Sequence, residues 1–101
     1  MVKLKYENKE YLLEFDRASV ELLEKSGFSL LEYSSKMASM QPLLFRAAFY
    51  KNHKFDKVNY DKIWEETKNK KGLTNALLEM VSETYQSLMD SEEGNENWEV
   101  I

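Results

Sequence analysis

Val2, Leu4 and Tyr6 alternate with Lys3 and Lys5, the two-residue period of a strand with one buried face. After the polar run Glu7–Glu10, Tyr11, Leu13 and Phe15 again share one face, so the first fifteen residues read as a β-hairpin. Asn8 is the turn residue best suited to a left-handed backbone. A lone hairpin is marginal in water, which requires a partner layer from the rest of the chain. That layer is helical. Asp16 is placed to cap a helix over Arg17–Ser26 that ends at Gly27, with Phe15 and Val20 at hydrophobic-staple spacing. Ser29 with Glu32 forms a capping-box pattern for a second helix, flanked by Phe28 and Tyr33. Gln41-Pro42 marks a third start, Asn59 a fourth, and Thr74, just after the breaker Gly72, a fifth that runs to Met89.

The third helix stands apart. Leu43, Leu44, Phe45, Ala47, Ala48, Phe49 and Tyr50 leave it almost no polar face apart from Arg46. A short helix that is apolar all round is the centre of a small domain, or it exposes one side to a partner. The fifth helix is amphipathic, with Leu77, Leu78, Val81, Tyr85, Leu88 and Met89 at spacings of three and four. The expected fold is mainly α (α+β): a hairpin over residues 1–15 packed on a bundle of about five short helices, one domain over residues 1–89.

Charge divides the chain at the same place. All 14 basic residues precede Asp90, where 13 acidic residues nearly balance them; from Asp90 onward there are five acids and no base. The net charge of −4 therefore belongs to an acidic extension over residues 90–101, expected to be mobile, rather than to the helical domain. It closes on Trp98-Glu99-Val100-Ile101, which reads either as a short docking motif or as a segment folded back on the domain.

Catalytic chemistry finds little support. With no cysteine there is no thiolate nucleophile and no zinc–sulfur site; a single histidine, His53, excludes a His-rich metal centre. The adjacent pairs Glu65-Glu66 and Glu92-Glu93 point about 100° apart on a helix. Glu79 and Glu83 do share a face and read as solvated surface. No catalytic, cofactor-binding or metal-binding residue is assigned, and no enzyme is expected. Lys51–Lys71 holds seven lysines against four acids with Tyr60 and Trp64 interleaved, a composition that can contact nucleic acid. An overall pI near 5.1 and the acids mixed among those lysines favour a solvated face, so nucleic acid is not an expected partner. No apolar run is long enough to cross a membrane, and the basic start is not followed by a signal-peptide core, so the expected compartment is the cytoplasm.

The order of these features resembles the tail assembly chaperones of long-tailed, siphovirus-type bacteriophages and prophages of Gram-positive bacteria. The hairpin leads into Phe15-Asp16-Arg17-Ala18-Ser19-Val20-Glu21-Leu22-Leu23-Glu24. Gly27-Phe28-Ser29, Pro42-Leu43-Leu44-Phe45-Arg46-Ala47-Ala48, the Tyr60–Trp64 stretch and the closing helix from Leu73 complete it. The resemblance covers Met1 to about Met89. It implies a helical protein of the host cytoplasm, absent from the mature virion, that binds the tape measure protein, keeps it soluble and assists polymerisation of tail tube protein. It also implies a possible longer form made by frameshifting near residue 90. Adaptable methionines suit reversible cover of apolar helices. The candidate partner-binding residues are accordingly Met37, Met40, Phe45, Phe49, Met80, Met89 and Trp98, with self-association along the client expected. The other reading is a small phage or mobile-element regulator that binds DNA or a host protein.

Overall fold

In the computed structural model of the chain, which describes residues 1–89 and 97–101, the opening alternation becomes an antiparallel pair, β1 (Val2–Tyr6) and β2 (Lys9–Leu13). Val2 faces Leu13, Leu4 faces Tyr11 and Tyr6 faces Lys9, so the apolar residues of both strands share the inner face. The turn is shorter than the polar run suggests. Only Glu7 and Asn8 lie outside the strands, and it is Glu7, not Asn8, that takes the left-handed backbone, at φ +56°.

Five helices follow among the described residues, giving the expected α+β architecture. The first, α1 (Arg17–Lys25), is closed at both ends as its sequence dictates. Asp16 Oδ1 accepts from the Ser19 amide at 2.9 Å while Ser19 Oγ accepts from the Asp16 amide at 2.8 Å. This reciprocal box satisfies the fully buried Ser19. At the other end Gly27, at φ +104°, turns the chain so that the Phe28 amide reaches the Leu23 carbonyl at 3.1 Å.

The expected second helix does not form. Its segment makes successive turns and one 3-10 turn, Tyr33–Ser35. Phe28 is buried and its ring lies 6.2 Å from that of Tyr33, but Leu31 is 95% exposed, so the segment has no continuous apolar face to reward further helix. Ser35 also donates its hydroxyl to the Glu32 carbonyl, the local bonding that favours turns over helix interiors.

Helix α2 (Met37–Ala48) starts four residues before Gln41, which places Pro42 in its second turn. The carbonyl left without a donor belongs to Ala38, an exposed residue. The short α3 (Tyr50–His53) follows directly after Phe49. Asn59 caps α4 (Tyr60–Glu66) by accepting from the Lys62 amide at 3.2 Å. The last helix, α5 (Lys70–Met89), begins at Asn69 rather than Thr74 and passes through Gly72.

The core lies where α1, α2 and α5 meet under the hairpin. Leu13, Leu23, Leu44, Ala48, Phe49, Leu77 and Val81 have no exposed surface at all. Tyr11, Phe45, Phe49, Tyr60 and Trp64 form a chain of edge-on and tilted rings with centroids 5.0–5.3 Å apart. The apolar helix is thus the centre of the domain: each large side chain there contributes about 1.5–3 kcal/mol by leaving water.

The acidic residues Asp90, Glu92, Glu93 and Glu96 lie outside the described residues. Trp98, Val100 and Ile101 are exposed and do not pack on the core.

Candidate client-binding groove

Two helical stripes converge at one end of the bundle. On α5, Lys70, Lys71, Thr74, Asn75 and Leu78 follow the three- and four-residue spacing of a single face. On α2, Met37, Ala38 and Gln41 do the same, and Tyr33 of the 3-10 turn closes the third side. Between them lies an open groove of about 530 Å³ lined by these nine residues. Met37 is 56% exposed at its rim, and burial in its wall raises the pKa of the Tyr33 phenol. Leu30 and Leu31, three and two residues before Tyr33 in the sequence, are both exposed.

The two charged residues lining the groove are both lysines. Lys70 Nζ donates to the Glu65 and Thr67 carbonyls at 3.1 and 2.7 Å, tying the end of α4 to the start of α5. Lys71 has no carboxylate partner among the described residues, and no acidic residue lines the groove. Gln41 Nε2 is inaccessible and without a hydrogen-bond partner, an unused donor in the groove wall.

A larger cavity, about 590 Å³, lies over Arg46, Lys57, Val58, Asn59, Tyr60 and Asp61. Its two opposed charges, Arg46 and Asp61, already pair at 3.1 Å. The groove beside Met37 is the better candidate on chemistry.

Of the candidate partner-binding residues, Met37 alone lines this groove. Met40, Phe45 and Phe49 are 4%, 2% and 0% exposed and belong to the core, so they are not available as a binding surface in this fold. Their helix is covered by α1 and α5, and Phe49 just beyond it packs on Tyr11 of β2, which is why its lack of a polar face signals interior rather than interface. Half-buried Met80 lines a different cleft with Phe15, Arg17, Thr84 and Leu88. Met89 is 82% exposed at the far end of α5, and Trp98 is 65% exposed beyond it. Sequence reasoning missed Tyr33, Gln41, Lys70, Lys71, Thr74 and Leu78; reading Asn69 as a cap would have brought the α5 stripe into view.

His53, the one acid–base candidate, is committed elsewhere. Its Nε2 accepts from the Leu12 amide at 2.9 Å, so Nδ1 carries the proton and donates it to Asp56 Oδ2 at 2.7 Å. A ring whose lone pair already holds a backbone amide is not free to take a substrate proton. The hydrogen bond from His53, helped by nearby Lys9, in turn lowers the pKa of Asp56. Glu79 and Glu83 are both exposed on α5. No group of three metal-ligating side chains occurs among the described residues, and no described helix is long and apolar enough to cross a membrane.

The lysines of the basic stretch serve several local roles. Lys51 pairs with Glu14 at 3.3 Å, Lys54 lies over the Tyr50 and Phe55 rings, and Lys70 binds carbonyls.

A family model described as "Domain of unknown function (DUF5055)" matches residues 1–101, and the chain belongs to that family. No match was found among curated proteins or among solved structures.

Proposed function

We propose that this DUF5055 chain is a non-catalytic binder of apolar helical segments, acting as a phage or prophage tail assembly chaperone. Its client on this reading is the tape measure protein, which it keeps soluble while tail tube protein polymerises. The observation that carries the reading is the groove beside Met37. It is open, walled in part by Tyr33 and Leu78, and rimmed by an exposed methionine. Surfaces of this kind accept several related helices without a fixed register, because an unbranched thioether adapts to its neighbour. The ordered resemblance described above supplies the client class. The working place of such a chaperone is the host cytoplasm, and it leaves before the virion is complete.

Co-expression with a fragment of the tape measure protein from the same genome tests this. The fragment is expected to become soluble and to co-purify with the wild-type chain, and Met37→Glu, at an exposed position, is expected to weaken both effects. A fragment whose solubility and retention are unchanged by the chain would overturn the proposal.

A further inference from the structure

A cavity of about 250 Å³ lies where α1, α2, α3 and the start of α4 meet, and it shares no residue with the groove beside Met37. One stripe at spacings of three and four residues builds most of it: Leu43, Arg46, Ala47 and Tyr50, with Lys54 one turn further on. Leu22 and Ser26 of α1 and Tyr60 of α4 supply the rest of the lining. Leu22 is 39% exposed, an apolar side chain that the core leaves to this space. The charged residues of the lining are Arg46 and Lys54, with no acid among them. We infer that this cavity binds an apolar group carrying a single carboxylate, from a small free carboxylic acid or from the C-terminal residue of a polypeptide. Such a site is independent of the client proposed above.

Shape and charge each point to that ligand. Leu22, Leu43, Ala47 and the rings of Tyr50 and Tyr60 offer its hydrocarbon part an apolar wall. The volume lies just below the range of about 300–1,000 Å³ typical of drug-sized ligands, so it suits a group the size of one leucine or phenylalanine side chain. Lys54 pairs with no carboxylate among the described residues, and its Nζ stands 5.5 Å from the centroid of the Tyr50 ring in the cavity wall. Arg46 Nη2 donates to Asp61 Oδ1 at 3.1 Å, which leaves the other guanidinium N–H groups for a second acceptor. Asp61 offsets Arg46, so the uncompensated charge at the cavity is the single one of Lys54. A monoanion matches it; a dianion does not.

Apolar wall and cations line one cavity, so the ligand must carry both features. A neutral isostere forfeits the attraction to Lys54 and Arg46, and a bare anion forfeits the apolar wall. The chain's own C-terminal carboxylate is not the occupant, because Ile101 is fully exposed. The cations are themselves exposed, so the charge contributes about fivefold in affinity, and salt weakens it.

Amide chemical shifts of the full-length chain, followed by NMR during titration with 3-phenylpropionate and with N-acetylphenylalanine, test the site. The first probe is a free acid and the second mimics a polypeptide C-terminus. At least one is expected to shift Leu22, Ala47, Tyr50 and Lys54 with a Kd of about 1–10 mM, as suits so small a ligand. Tighter binding of the first assigns a free acid and of the second a C-terminal residue; equal binding assigns recognition to the shared group. Neutral 3-phenylpropionamide is expected to bind about fivefold more weakly than the free acid, and acetate to leave these amides unshifted. Lys54→Gln is expected to weaken the acid by a similar factor and the amide not at all, whereas Lys62→Gln, outside the lining, changes neither. Leu22→Gln weakens both. All three positions are exposed, so the variants should keep the wild-type circular dichroism. Unshifted amides at these four residues up to about 20 mM of either acid overturn the site. So do an amide that binds as well as the acid, equal effects of the two lysine substitutions, and tighter binding of the dianion phenyl phosphate. Failure here leaves the co-expression result untouched, because no client is present and the Met37 groove is not involved.

Discussion

The Leu12 amide donates to His53 Nε2 across 2.9 Å, joining residues 41 positions apart and closing the outer edge of the hairpin. Its neighbours complete the seam. Asn52 Nδ2 donates to the Leu12 carbonyl at 3.1 Å, and the Glu14 amide donates to the Ala48 carbonyl at 3.0 Å. An edge strand with free backbone groups invites pairing with other chains, and here α2 and α3 occupy those groups instead. The His53 ring also packs edge-on against Tyr11 at 5.1 Å. Replacing His53 by Ala leaves the part-buried Leu12 amide without an acceptor, an expected loss of about 1–3 kcal/mol. His53→Gln, whose Oε1 can still accept, is expected to lose less. Urea denaturation measures both, and hydrogen exchange at Leu12 should speed up more in the Ala variant. Equal losses would assign the effect to ring packing rather than to the bond.

The same seam sets how stability responds to acid. The hydrogen bond from Asn52, with Lys51 close by, lowers the pKa of Glu14, and the bond from His53 does the same for Asp56. A carboxyl whose folded pKa lies below its unfolded value stabilises the fold fully above the unfolded pKa. That contribution is lost as pH falls through the folded value. Melting temperature is therefore expected to decline as pH is lowered through and below about 4, the ordinary carboxylate range. Glu14→Gln should be less stable than wild type at pH 7 and should converge with it at low pH, where wild-type Glu14 is protonated. Melting curves across the range decide this; a gap between the two proteins that stays constant with pH would contradict the lowered pKa.

What the sequence made legible was local. Asp16, Gly27 and Asn59 act where their side chains or backbone freedom can reach, within four residues, and all three do what their residue types suggest. Alternation placed Tyr11, Leu13 and Phe15 on the buried face because a strand's period is fixed by its backbone. The failures came where tertiary contact decides. Ser29 and Glu32 spell a capping box, yet Leu31 finds nothing to pack on and the helix does not propagate. Pro42 looks like a first-turn residue, but Met40, two residues earlier, is buried on the packed face and α2 starts at Met37. The groove was hidden for a related reason: its two walls come from helix starts that both lie earlier than the strongest breakers suggest. The bond from Leu12 to His53 has no sequence signature, since one partner is a backbone amide.

Asn69 and Gly72 form one unit at the start of α5, and a double-mutant cycle should show it. Asn69 holds a left-handed backbone at φ +55° and its Oδ1 accepts from the Gly72 amide at 3.1 Å, which caps the helix. A methyl group at residue 72 would stand 2.8 Å from Asn69 Cγ, so an alanine there displaces the cap. In the wild-type background Gly72→Ala gains up to about 1 kcal/mol of helix propensity and loses a cap of similar size, for a net change near zero. Asn69→Gly tolerates the positive φ and carries no side chain to displace, so in that background Gly72→Ala is expected to stabilise by about 1 kcal/mol. The coupling read from urea denaturation of the four proteins is then about 1 kcal/mol, the signature of residues that act together. Since Lys70 and Lys71 are the first residues after this cap, loosening it should also disturb the groove wall, visible as altered amide shifts at Thr74 and Leu78. Identical effects of Gly72→Ala in both backgrounds would mean that Asn69 does not cap α5 and that the helix start is held by Lys70 alone.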